Sequence, residues 1–204
     1  MRGCGVIKAM GLALALSVAS TQLLAQENGL ALLGSPLPNA ISLENTPHKV
    51  LLNGYGVSYD GGEPLYVGAL YTFKVEKKSQ MLLLTDEPMA MIFYFVRDDI
   101  SGQLFSQVFT ESILLNNGGW NNIQFDKARI LELQALLKQH LNAGDSLAFQ
   151  YTAESDFILI LNGKILHRWT HAKTLFNAVL RMWIGNYPPS RDFKRAILNF
   201  PISN

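Results

Sequence analysis

The chain has 204 residues, of which 49% are hydrophobic, 10% aromatic and 16% charged. That is the length of one domain with enough apolar content for a full core, which excludes a disordered chain. With 17 basic residues against 16 acidic, a net charge of +1, it also lacks the electrostatic footprint of a nucleic-acid binder.

Arg2 and Lys8 open a short positive start, and the uncharged apolar stretch from Ala9 to Ala19 follows. Leu23-Leu24-Ala25 then offers a cleavage point before Gln26. Residues 1–25 therefore have the layout of a secretory signal peptide. The apolar run is roughly half of the ~20 residues that a bilayer span requires, so it does not read as a membrane anchor. Cleavage leaves 15 basic residues against 16 acidic and removes Cys4, the only cysteine. Cys4 precedes the apolar run, whereas a lipoprotein anchor needs its cysteine at the cleavage point. The expectation is a periplasmic or secreted protein with no disulfide, no thiol chemistry and no stable membrane anchor.

Residues 26–47 carry Gly29, Gly34, Pro36, Pro38 and Pro47 and read as an extended lead-in to a domain over 48–204. Lys49 to Ser58 and Leu65 to Lys74 are strand-like, and the cluster Asp60-Gly61-Gly62-Glu63-Pro64 between them suits a hairpin. Met89 to Val96 is apolar throughout, as in a strand buried on both faces. From Ser101 the period changes. Leu104, Phe105, Val108, Phe109, Ser112 and Leu115 recur at steps of three and four, which predicts a helix with that face inward. Asp98 and Asp99 favour its start through the backbone dipole. After a polar loop containing Trp120, a second helix is predicted from about Asp126 to Leu141, with Asp126 as its cap and Asn142 and Gly144 as its end.

Leu147, Phe149 and Tyr151 alternate with Ala148, Gln150 and Thr152 as a strand. Phe157 to Leu161 and Lys164 to Trp169 flank Asn162-Gly163, a strong signal for a two-residue hairpin turn. Thr174 to Trp183 reads as a helix with Gly185 past its end, and Arg191 to Leu198 as a last one. The order of elements predicts an α+β domain, an antiparallel sheet covered on one face by a layer of helices.

Catalytic equipment is not visible in this pattern. His167 and His171 are four apart but on a strand end and the following turn, and they read as solvated surface histidines rather than metal ligands. Asp98 and Asp99 are too close in sequence to converge on one atom. Gly54, Gly56, Gly61 and Gly62 form no phosphate-binding loop, and no serine sits in a nucleophile elbow. Neither a metal nor a cofactor is implied.

Six segments carry a family resemblance. They are Leu52-Asn53-Gly54-Tyr55-Gly56-Val57, Tyr66-Val67-Gly68-Ala69-Leu70-Tyr71, Phe95-Val96-Arg97-Asp98-Asp99-Ile100-Ser101, Leu161-Asn162-Gly163-Lys164, and the closing runs Ala178 to Gly185 and Asp192 to Leu198. Together they resemble the chalcone isomerase-like family, in particular its secreted bacterial branch, over roughly His48 to Leu198. The resemblance implies a ligand cleft between sheet and helices. Enzymes of the family cyclise a chalcone by attack of a phenolate on an enone. The resemblance implies that they do so with an arginine, a threonine, a tyrosine, an asparagine and a small hydroxyl residue. Those five roles fall on Ser58, Tyr66, Phe105, Ser112 and Met182 of this chain. The arginine is gone and the helix tyrosine has lost its hydroxyl.

Phe105 and Ser112 are two helical turns apart and share a face. For Phe105 and Phe109, packing into core and lining a pocket are equally open readings. Fatty-acid-binding members hold the carboxylate with the same arginine and tyrosine, so Ser58 and Phe105 remove that clamp. Arg97 and Arg181 are the remaining cations for an anionic headgroup, although salt bridges to Asp98, Asp99 or Asp192 are the simpler role for each. The expectation is a non-catalytic protein holding an apolar or amphipathic small molecule, a fatty acid or an aromatic. The alternatives are a lyase or isomerase working through Tyr66 with Ser58 or Ser112, and an interaction protein whose cleft is filled. Protein partners are not legible.

Overall fold

The computed structural model describes residues 29–200, so the predicted signal peptide lies outside the described residues. Seven strands follow one another in a single antiparallel sheet whose spatial order equals the chain order. They are β1 (Ala40–Ile41), β2 (Val50–Asp60), β3 (Glu63–Thr72), β4 (Met89–Phe95), β5 (Ser146–Tyr151), β6 (Phe157–Leu161) and β7 (Lys164–Trp169). The helices are α1 (Ser79–Leu84), α2 (Gly102–Asn116), α3 (Lys127–Leu136), α4 (Lys173–Ile184) and α5 (Arg191–Ile197). Such a sheet with helices over it is the predicted α+β arrangement.

Strand alternation decides the two faces. Leu147, Phe149 and Tyr151 of β5 join the larger core, which includes Leu133, Phe176, Trp183 and Phe193 of the helices. Ala148, with Ala69, Tyr71, Ala90 and Ile92, forms a second apolar cluster on the other face. The lead-in covers this second cluster, and it departs from the expected extended form at its helical start. It holds a helical segment over 29–33 and the strand β1, and Leu37, Ile41 and Leu43 pack on the sheet. The Glu44 amide donates to Gln150 Oε1 at 3.3 Å, tying the segment down. A sheet face that apolar would otherwise meet water.

Other differences have local causes. Helix α1 is not among the predicted elements, because six residues are too few to show a period. Helix α3 stops at Leu136, since the Leu141 backbone pairs with Ile100 instead of continuing the helix. Asp126 does not cap it; its carboxylate is buried and lies 3.4 Å from Arg129. Nor do Asp98 and Asp99 serve the start of α2. Ser101 caps that helix by accepting from the Leu104 amide, while Asp98 accepts from the Ala143 amide and Asp99 faces His140.

The β6–β7 turn forms as predicted, with Asn162 and Gly163 both left-handed at φ 51° and 75°. Gly163→Ala is therefore expected to lower stability by about 1 kcal/mol, read as a shift in urea midpoint with unchanged slope.

Buried phenols make the fold sensitive to alkali. Burial raises the pKa of Tyr66, Tyr71 and Tyr94, and burial followed by the hydrogen bond to Asp86 pushes Tyr151 up to about 12. In the unfolded chain these phenols ionise near their ordinary value of about 10. The folded state thus holds protons that the unfolded state releases, and stability falls with rising pH. It should be complete below pH 10 and fall away as pH rises through about 12 for Tyr151. Lys173, which desolvation holds below an ordinary lysine, opposes this in part. Denaturant midpoints measured between neutral pH and pH 12 check the prediction, and Tyr151→Phe should flatten the decline.

Candidate functional site

The hairpin register of β2 and β3 places Ser58 directly opposite Tyr66, and Tyr66 in turn opposite Phe95 of β4. Two hydroxyl side chains therefore meet at one end of the sheet, where α2 crosses it. A cavity of about 340 Å³ opens there. Ser58, Tyr66, Phe105, Ser112 and Met182 all line it, so the five positions inferred from the family resemblance converge on one cleft. Its inner end is made by Ser58, Tyr66, Phe109 and Met182, all buried, and its mouth by Asp60, Arg97, Leu104 and Val108.

Helix α2 is oriented differently from the prediction, and the difference builds the cleft. Leu104 and Val108 are 61% and 53% exposed rather than core. The buried face is instead Gly102, Ser106, Phe109, Thr110 and Ile113. Two polar residues can sit there because each hydroxyl is satisfied within its own helix. Ser106 Oγ donates to the Gln103 carbonyl and Thr110 Oγ1 to that of Ser106. The stripe Leu104, Phe105, Val108, Phe109 and Ser112 is left as one wall of the cavity.

The two phenylalanines separate in role. Phe109 is 2% exposed and stacks on Phe149 at 5.3 Å, so it belongs to the core while showing an edge to the cleft. Phe105 is half-buried, set edge-on to Phe95 at 5.7 Å, and faces the cavity.

Tyr66 is fixed by edge contacts with Phe93, Phe95 and Phe193. Burial raises its pKa, while the Ser58 hydroxyl and the Trp183 indole act the other way. The Trp183 N–H is near enough for that effect but completes no well-formed hydrogen bond. At neutral pH the inner end thus presents a neutral phenol and a serine hydroxyl.

Arg97 stands at the mouth, but its partner is neither Asp98, Asp99 nor Asp192. Its Nη2 lies 2.7 Å from Asp60 Oδ2, and its Nη1 donates to the Asp60 carbonyl at 3.4 Å. The sequence could not show this pair, because the β2–β3 turn brings Asp60 back beside the end of β4. Arg181 is outside the cleft altogether. It lies one residue from Met182 on α4, about 100° around the helix, and donates to Asn117 Oδ1 at 3.1 Å. It forms no ion pair among the described residues, which corrects the expected bridge to Asp192.

His167 and His171 also differ from their prediction in part. His171 is exposed, but His167 is half-buried, with its ring 4.4 Å from Trp169 and Nε2 3.5 Å from Glu132. Among the described residues no three His, Cys, Asp or Glu side chains gather where a metal could sit. Asp60, Leu65, Ile100 and Pro189 line the cleft without having been singled out in the sequence. The hairpin turn at Asp60 was the one readable hint, since it had to lie at the same sheet end as Tyr66.

Residues 30–199 match the chalcone isomerase-like family, and the chain belongs to it. No curated protein matches the sequence. Among solved structures, a fatty-acid binding protein of Arabidopsis thaliana shares the fold with a TM-score of 0.58 and 11% identity, covering 78% of this chain and 96% of that one.

Proposed function

We propose that this protein is an exported, non-catalytic member of the family that holds an apolar or amphipathic small molecule, such as an acyl chain, in the cleft. The observation that carries the reading is the cavity of about 340 Å³ walled by Phe105, Val108 and Met182, with the Ser58 and Tyr66 hydroxyls at its inner end. That volume and lining suit an acyl chain or an aromatic ring rather than a sugar or phosphate. The fatty-acid binding neighbour supports the same class of ligand. An open cavity favours this reading over an interaction protein with a filled cleft.

The positions matching the family's arginine and helix tyrosine are Ser58 and Phe105. Among the described residues no guanidinium lines the inner end, and Arg97 at the mouth is paired with Asp60. Losing one such charge-stabilising donor costs on the order of a hundredfold or more, so purified protein should show no hydroxychalcone cyclisation above background. The reading through Tyr66 as a general donor, with Ser58 beside it, predicts robust turnover instead. Export is supported by the layout of residues 1–25 and predicts a mature N-terminus near Gln26. Intact Met1 on cytosolic protein, with none outside, would contradict it. The binding claim is tested by titrating a fluorescent polyene fatty acid. Saturable one-to-one enhancement is expected, and unsaturable or absent enhancement would overturn the claim.

A further inference from the structure

At the end of the molecule where α1, α5 and the turn after α4 meet, two further cavities adjoin, of about 390 and 520 Å³. They share Ser79, Asn186 and Lys194 in their walls. We propose that this joint cavity is a second binding site, for a phosphate-type oxyanion.

Charge is the first argument. Lys77, Arg191 and Arg195 line the smaller cavity, Lys78 and Arg181 the larger, and Lys194 both. Six of the chain's 17 lysines and arginines thus line these two adjoining cavities in a protein of net charge +1. Among the described residues no carboxylate lines either cavity. Glu76, the acid beside Lys77, accepts from the Lys78 backbone amide at 2.8 Å. Like charges gathered in a concave surface repel one another, and an anion between them relieves that repulsion.

The second argument is how the cations are held. Lys194 Nζ donates to the Gly185 carbonyl at 2.6 Å, and Arg181 Nη1 to Asn117 Oδ1 at 3.1 Å. Both partners are neutral, so they orient the cations without cancelling their charge. Lys77, Lys78, Arg181, Arg191 and Lys194 take part in no ion pair among the described residues. A Ser79 hydroxyl and an Asn186 amide complete the set of donors. Several donors from different directions match an anion with three or four oxygens better than a single carboxylate. Desolvation, which holds the Lys194 pKa down, would be offset by a bound anion.

This site is separate from the apolar cleft and does not depend on what the cleft holds. The test is calorimetric titration of the purified protein with inorganic phosphate at low ionic strength. Cosedimentation with phosphatidylglycerol and phosphatidylcholine vesicles is run alongside. Lys78→Glu and Arg191→Glu change one side chain in each cavity, neither making a contact the fold needs. Lys138→Glu is the control, an exposed lysine far along the chain. One-to-one binding of phosphate, weakened about tenfold or more by each cavity variant and unchanged by the control, is expected. The same pattern seen only with phosphatidylglycerol vesicles would identify the oxyanion as a lipid headgroup. Absence of binding to both, or an equal loss in Lys138→Glu, would overturn the proposal.

Discussion

Gly54→Ala is expected to destabilise the protein by about 3 kcal/mol or more, at the upper end of overpacking substitutions. A Cβ at this position would stand 2.2 Å from the Ala196 carbonyl oxygen and 2.8 Å from that of Ile197. Both are backbone atoms of α5, so no side chain can swing aside. The neighbouring Asn53 Nδ2 donates to the same Ile197 carbonyl at 2.8 Å, which fixes helix to strand at this point. The substitution must push α5 away and break that bond as well. Gly68→Ala is expected to cost less, because its Cβ would meet the ring edge of Phe193 rather than backbone. A domain of this size has roughly 5–15 kcal/mol of total stability, so the loss is a large share of it. Urea denaturation of the two variants beside the parent protein measures the difference.

Phe105→Glu is expected to abolish binding of apolar ligands, weakening it by about a hundredfold, or roughly 3 kcal/mol. The phenyl ring is half-buried and forms part of the cleft wall, so a carboxylate there must either lose water or fill the cavity with it. Because the ring is only partly in the core, the fold should survive with a loss of about 1–2 kcal/mol, well short of a fully buried phenylalanine. Phe105→Leu keeps the wall apolar and should retain most of the affinity. Titration of the fluorescent fatty acid, with denaturant melts of the same samples, separates the two effects. Outright unfolding of Phe105→Glu, together with no probe binding by the parent protein, would assign Phe105 to the core.

Much of this fold is legible because its local signals are strong. Asn162-Gly163 strongly favours a two-residue turn between two strands, and it forms there with both residues left-handed. The motif glycines were visible too, but the reason for Gly54 is a contact made 142 positions away by Ala196. No local pattern carries that information. The buried face of α2 differs from the hydropathy pattern for a related reason. Ser106 and Thr110 satisfy their hydroxyls within the helix and so pass into the core. The exposed Leu104 and Val108 owe their place to the cleft. Hydropathy alone weighs those four residues the wrong way round.

The candidate site was legible where it rested on strand register and helix spacing, and not where it rested on tertiary charge pairing. Ser58 and Tyr66 face each other as the hairpin requires, and Phe105 and Ser112 share a helix face. Arg97 finds Asp60 across a turn, while Arg181 points away from the cleft although its neighbour Met182 lines it. One step along a helix is enough to move a side chain from one cavity to another.

Native mass spectrometry of the purified protein, followed by solvent extraction, tests the central claim most directly. The account predicts a fraction of molecules carrying one additional small mass that is released on denaturation, recovered as an apolar or amphipathic compound, and absent from Phe105→Glu. Protein that carries no added mass, and takes up none when incubated with a fatty acid or an aromatic ligand, would contradict it.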